Sequence, residues 1–269
     1  MVNNNFSNLD AKEVISLEYL KDYEDGMGFF YSELVTLNTN IFIINKIREF
    51  PFDLFCVPDD KIFFLMVINN FFEYSIIIIS RLIKDTSANS FTIRKFKNRI
   101  VKDYIKPEYK EAFKNRIRNI KFEHIMDDIL NRVQDLRNKR IAHTIKDYIK
   151  DTRNIGRINF KELEKLRDHI NLFFENLSFN KKHIMVPIPY SVEVQHPKDS
   201  DPRSDIEKIL DSIAKESAFL NISEIEIKYP TIWKERKKRM TGRELDIFNK
   251  YREKLGFPKI YTGNENQKE

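Results

Sequence analysis

Glycine is nearly missing from this chain, and that shortage restricts the possible folds more than any other feature. Six glycines occur in 269 residues, and none lies between Gly28 and Gly156. A dinucleotide-binding fingerprint or a P-loop needs clustered glycines, because a residue without Cβ lets the backbone approach a phosphate. Both are excluded across the middle of the chain. Hydrophobic residues make up 41 % and charged residues 33 %, enough apolar matter for a core and too much for a disordered chain. The one cysteine, Cys56, rules out a disulfide framework and a multi-cysteine zinc site. The expectation is a soluble, intracellular, all-α protein.

Apolar residues recur at helical spacing almost throughout. The pattern predicts an acidic helix over Leu9–Asp25 and a second over Gly28–Phe50, ended by Pro51. A long helix capped by Asp59 runs to about Asp85, and another spans Ser90–Ile105, with Pro107 suited to the first turn of the next. Further helices are expected over Ile120–Thr144 and Phe160–Phe179. The texture then changes, since four of nine prolines (Pro187, Pro189, Pro197, Pro202) fall between Met185 and Arg203. The expected organisation is a helical bundle domain over 1–184, a Pro-rich linker or strap over 185–203, and a small helical region with a polar tail over 204–269.

Met1–Asp10 is Asn-rich and shows no signal-peptide pattern. The apolar run Ile62–Ile83 is long enough to span a bilayer, but it carries Asn69, Asn70, Glu73 and Arg81, which are costly in lipid. It is read as a bundle helix buried on most sides. A cytoplasmic protein with no membrane partner is expected.

The net charge of +6 is unevenly spread. Arg94–Lys121 holds eleven Lys/Arg against three Asp/Glu, Lys234–Arg239 has five basic residues of six, and residues 1–33 carry seven acidic residues against two Lys. A basic stripe beside an acidic end suits a protein that draws polyanions to one face, although solvated helix faces give the same pattern.

Arg137-Asn138-Lys139-Arg140-Ile141-Ala142-His143 is the most informative stretch. On a helical wheel Phe122, Ile125, Met126, Ile129, Leu130, Val133 and Leu136 form one apolar arc. In the same register Arg137, Arg140 and His143 fall inside that arc, while Asn138 and Lys139 fall outside. Charge at the end of a core stripe needs a partner, a cavity or another subunit. Arg137 and His143 lie about 120° and roughly 9 Å apart on an ideal helix, so one helix brings them together poorly. Two copies crossing at a two-fold axis place both pairs around one cleft. The plainer reading is that cations near a helix C-terminus are favoured by its dipole, by about 0.3–1 kcal/mol. The spacing also recurs at Arg118-Asn119 and His124, across a helix boundary.

This motif resembles the Arg-X(4–6)-His signature of the HEPN superfamily, including the polar residue after the arginine and the Ala-His ending. The long helix with Phe72, Ile76, Ile79, Arg81, Leu82 and Asp85 resembles its abortive-infection branch, and the likeness covers about residues 28–180. It implies a HEPN-like helical bundle that dimerises. It further implies a metal-independent endoribonuclease acting as a toxin or antiphage effector, its composite site built from Arg137 and His143 of both subunits. Asn138, Lys139 and Arg140 are expected to support the site or bind substrate. The implied partners are RNA, a second copy, and an antitoxin or other defence-system protein. A catalytically inactive module that binds RNA or protein is the alternative. Toxins of this family silenced by a nucleotidyltransferase carry Tyr two residues after the histidine, where this chain has Ile145.

The residue types suit that chemistry. A histidine titrating near neutrality can move the 2′-hydroxyl proton, and arginine can hold phosphate and offset developing charge. Glu73, set among Phe71, Phe72 and Ile76, is expected to be buried; it or Asp85 either orients a basic residue near the site or is purely structural. His124 beside Asp127 and Asp128 reads as a polar helix face. No metal site and no cofactor are expected.

Overall fold

The structure, a computed structural model, describes residues 9–50, 52, 61–84, 90–120, 127–138, 158–179, 204–216, 231, 234–235, 242–254, 256 and 258–259. Its helices are α1 (Ala11–Val14), α2 (Leu20–Glu49), α3 (Lys61–Ile83), α4 (Ile93–Arg99), α5 (Lys110–Arg118), α6 (Asp127–Leu136), α7 (Phe160–Leu177), α8 (Asp205–Glu216) and α9 (Gly242–Lys254). Among the described residues 87 % are helical and none lies in a strand, so the all-α expectation holds. Two compact units divide the chain: Met1–Phe42 with Asn70–Ser191, and Ile43–Asn69 with Val192–Glu269.

In the first unit the N-terminal helices differ from the expected pair. α1 is one turn, closed by a capping box in which the Asp10 side chain accepts from the Lys12 N–H and the Glu13 carboxylate accepts from the Asp10 N–H. The chain then turns extended at Ile15, which bridges to Ile105; Ser16 N donates to Tyr104 O at 2.8 Å and Lys106 N to Val14 O at 2.9 Å. From Leu20 a single 30-residue helix runs through both Gly26 and Gly28, where the sequence suggested a break.

Phe96 explains the continuity. Its ring lies over Gly26, where a Cβ would come within 2.4 Å of Phe96 Cε2. The same ring sits 6.1 Å from Tyr23 and 5.3 Å from Phe30, one helical step to either side of Gly26, and 5.5 Å from Phe91. Each glycine costs about 1 kcal/mol relative to Ala in a helix. Full burial of a phenylalanine contributes about 1.5–3 kcal/mol, and each aromatic pair adds about 0.5–1.5. The packing term wins, and Gly26 serves as the notch that admits the ring.

Around this notch lies one continuous apolar core: Val14, Met27, Leu34 and Ile41 from the N-terminal segment, Ile76, Ile79 and Leu82 from α3, Phe113 from α5, and Leu163, Leu166, Ile170, Phe174 and Leu177 from α7. α7 begins at a second capping box, Asn159 with Glu162. Its C-terminus is held from two sides. Arg116 donates to Asn176 Oδ1, Ser178 O and Glu175 O at 3.1–3.2 Å, while the buried Tyr23 hydroxyl donates to Leu177 O at 3.0 Å and accepts from Phe179 N. These bonds occupy carbonyls that a helix end leaves without intrahelical partners. Burial raises the Tyr23 pKa, so its hydroxyl keeps the proton it donates.

α3 matches its expected burial only in part. Ser75, Ile76, Ile78, Ile79, Ser80 and Leu82 are buried, but Ile62, Phe63, Leu65 and Met66 near its start are exposed. Ile62–Ile83 is long and apolar enough to cross a membrane by length and composition, and 22 % of its apolar window is buried.

The second unit buries Ile44, Ile47, Phe50, Leu210, Ala214, Leu245 and Phe248 and adds polar ties. Ser204 and Glu207 cap α8, and Lys46 Nζ lies 2.7 Å from Glu207 Oε1. Asp211, buried on α8, meets Lys254 of α9 at 2.8 Å. Arg252, also buried, donates to Pro258 O and stacks over Phe248. Tyr251 packs edge-on to Phe50; burial, then the charges of Asp211, Glu49 and Glu207, push its pKa up to about 12.

Candidate functional site

α6 delivers the arginine of the motif. Its core face is Leu130, Val133 and Leu136, all buried, as the apolar arc requires. Its opposite edge is pinned to α7 by Arg132, whose Nη2 and Nη1 reach the two oxygens of Glu162 at 2.8 and 3.2 Å, while Nε reaches Asp128 at 3.1 Å. Glu162 also accepts from Asn159 N at 2.9 Å. The Arg132 guanidinium, followed by that N–H, holds its carboxyl below the usual value. Lys84, just past the end of α3, donates to Asn131 at 3.0 Å. Thus α6 is fixed by an apolar face, a bidentate ion pair and a hydrogen bond.

Arg137 follows Leu136 directly and is exposed; its Nη1 donates to Asn138 Oδ1 at 2.9 Å, and Asn138 is half-buried. This corrects the expectation that Arg137 continues the buried stripe. Residues 137–138 are in a π turn. The buried face ends at Leu136, and the guanidinium reaches solvent just beyond it. An exposed, planar guanidinium anchored at the end of a fixed helix can grip a phosphate bidentately. Lys139, Arg140 and His143 lie outside the described residues, as do Asp85 and His124.

Glu73 is half-buried midway along α3, where burial was expected. Sequence reasoning missed two carboxylates that pair with cations around α3 and α6: Glu33 with Arg81, and Glu162 with Arg132. Glu162 had a legible signal in the Asn159-X-X-Glu162 capping box; Glu33 had none, because its partner is 48 residues away. Among the described residues no group of three or more His, Cys, Asp or Glu is arranged to hold a metal ion. His169 on α7 is half-buried, and burial, then Lys165, lowers its pKa.

Part of the basic stretch from Arg94 is structural. Lys95 bonds to Ser90, Lys106 to the carbonyls of Lys12 and Glu13, Lys114 to Glu111, and Arg116 to the end of α7, while Arg99 lies over the Phe91 ring. Arg94 and Lys97, one helical step apart on α4, also line a shallow cleft with Lys84.

Residues 60–184 match the AbiU2 family of HEPN domains. No curated protein and no solved structure matches the chain. The matched segment holds α3 to α7, the Arg132–Glu162 tie and the whole motif from Arg137 to His143. That match supports a HEPN-superfamily, abortive-infection-like domain over residues 60–184.

Proposed function

We propose that the protein is a metal-independent endoribonuclease of HEPN type, acting in the cytoplasm as a toxin or antiphage effector. Its site is composed of Arg137 and His143 from two copies of the chain meeting at a homodimer interface. The observation that carries this reading is the exposed guanidinium of Arg137 at the rigid end of α6, inside the matched segment, with His143 following at the family's spacing.

The chemistry divides between the two residues. Neutral imidazole of His143 accepts the proton of an RNA 2′-hydroxyl as that oxygen attacks the adjacent phosphorus, and an imidazolium returns a proton to the departing 5′-oxygen. Arg137 binds the non-bridging phosphate oxygens and offsets the charge that grows on them. Asn138, bonded to the guanidinium, restricts its orientation. Lys139 and Arg140 add positive charge for the flanking phosphates, and Glu73 is a structural neighbour on α3.

The test is cleavage of total RNA and tRNA in EDTA by the wild type, Arg137→Ala and His143→Ala, with folding checked by circular dichroism and mass by light scattering. The reading predicts cleavage by a wild-type dimer and a loss of at least a hundredfold in each variant, the lower range for removing a general acid–base. Equal cleavage by all three chains contradicts it.

A further inference from the structure

Of the nine large hydrophobic side chains exposed among the described residues, four fall within the five positions Ile62–Met66 at the start of α3. Phe63 is 66 % exposed and Met66 58 %. The exposed positions continue at Asn69 and Asn70. Ile62, Leu65, Met66, Asn69 and Asn70 stand at i, i+3, i+4, i+7 and i+8, which is one side of a helix, with Phe63 at its edge. The four apolar side chains present roughly 500 Å² of surface, a size at which an exposed patch marks an interaction site.

Three features of this face select its occupant. First, no charged residue occurs from Ile62 to Phe72. A surface that meets its own copy across a two-fold axis sets each group near its own image, so like charges there repel, and an uncharged stripe avoids that cost. Second, the polar groups within the stripe are carboxamides. An amide donates and accepts at once, so Asn69 and Asn70 can bond to the same residues of a second copy, and an Asn within an apolar helix seam fixes register and partner number. In lipid the same amides would lack partners, at a cost. Third, with the two amides and the exposed Tyr74 one turn further on, the face approaches the about 800 Å² that each partner contributes to a stable interface.

We infer that a second copy of this chain docks on this face, as an antiparallel pair of α3 helices crossing between Met66 and Asn70. The amides of the two copies lie together at the centre, and the apolar side chains on either side are covered. Lys84, just past the end of α3, bonds to Asn131 of α6, so the helix that makes the contact is tied to the helix that delivers Arg137. This names the interface of the two-copy site proposed above and rests on that reading for its catalytic consequence, while its own readout is mass.

The experiment measures the mass of the full-length chain by sedimentation equilibrium over a concentration series. Met66→Glu/Asn70→Glu and Met66→Lys/Asn70→Lys change exposed side chains only, and circular dichroism checks the fold of each. The inference predicts a wild type at twice the 32.3 kDa chain mass. Each variant alone should dimerise roughly a hundredfold more weakly, because like charges then face one another across the axis. An equimolar mixture of the two should restore the dimer, since opposite charges meet. Leu17→Glu, at an exposed apolar side chain elsewhere, should leave it intact. A readout that does not depend on the charged variants is crosslinking by a short bismaleimide. In a Cys56→Ser chain, Asn69→Cys should link two copies and Leu17→Cys should not. A wild type that stays monomeric, whether free or floating with phosphatidylcholine vesicles, overturns the inference. So does a dimer that persists in both charged variants, a mixture that stays monomeric, or crosslinking that is equal at the two positions. If both variants remain dimeric while cleavage requires Arg137 and His143, the ribonuclease reading stands and the α3 interface falls. If they are monomeric and cleave RNA as the wild type does, the interface stands and the two-copy site falls.

Discussion

The two units are stabilised in different ways. The first unit closes on an apolar core whose centre is an aromatic ring set into a glycine notch, with Phe96 against Gly26 between Tyr23 and Phe30. The second buries a smaller set of described apolar side chains, Ile44, Ile47, Phe50, Leu210, Ala214, Leu245 and Phe248, and sets ion pairs and caps beside them, with Lys46 on Glu207, Lys254 on Asp211 and Arg252 on the Pro258 carbonyl. Shape is felt most at the notch of the first unit, and charge at the Lys46 and Lys254 pairs of the second. Dispersion and burial do not depend on proton concentration, whereas ion pairs weaken when a partner is neutralised or screened.

The largest effect should come from filling the notch. Gly26→Ala adds a methyl that must displace a ring confined by four aromatic neighbours, so a net loss of about 1–3 kcal/mol is expected despite the better helix propensity. Denaturant unfolding measures it, and an unchanged midpoint would break the contrast between the units.

The second unit should respond to pH. Burial raises the Glu207 pKa, but the hydrogen bonds from Lys46 and Ser204 outweigh it and bring it down to about 2. Its contribution is complete above the ordinary carboxylate value near 4.5 and is lost as pH falls toward 2. Lys46→Met should cost about 1 kcal/mol at pH 7, allowing for solvent at this half-exposed pair, and less at pH 3.5. Calorimetry at pH 7, 5 and 3.5 reads it, and a cost that does not change with pH would remove the charge-based account.

The smallest effect sharpens the first. Gly28 sits two residues from the notch, exposed, with nothing within 4 Å of where a Cβ would lie. Gly28→Ala should stabilise by about 0.4–1 kcal/mol through the unfolded chain. Opposite signs at Gly26 and Gly28 are required if packing, and not glycine as such, explains the helix.

What the sequence revealed follows the same division. α7 was legible nearly to the residue, because its capping box and apolar stripe are both local. The all-α class was legible because helical periodicity is local as well. The break expected between residues 25 and 28 failed because the reason for Gly26 is a ring 70 positions away. The face assigned to Arg137 failed because a wheel gives the register of a helix and not how far along it the packed neighbours reach; burial stops at Leu136. The Arg81–Glu33 pair and the cleft of Lys84, Arg94 and Lys97 exist only once distant helices pack together.

The central claim is 2′-hydroxyl attack at the Arg137/His143 site, and one measurement addresses it most directly. A short RNA carrying a single cleavage position is incubated in EDTA beside the same oligonucleotide with one 2′-deoxy sugar 5′ to the scissile phosphate, and the product ends are identified by mass. The account predicts that the RNA yields a 2′,3′-cyclic phosphate, that the deoxy substrate is intact, and that His143→Ala cleaves neither. Cleavage of the deoxy substrate at the wild-type rate and position would contradict it.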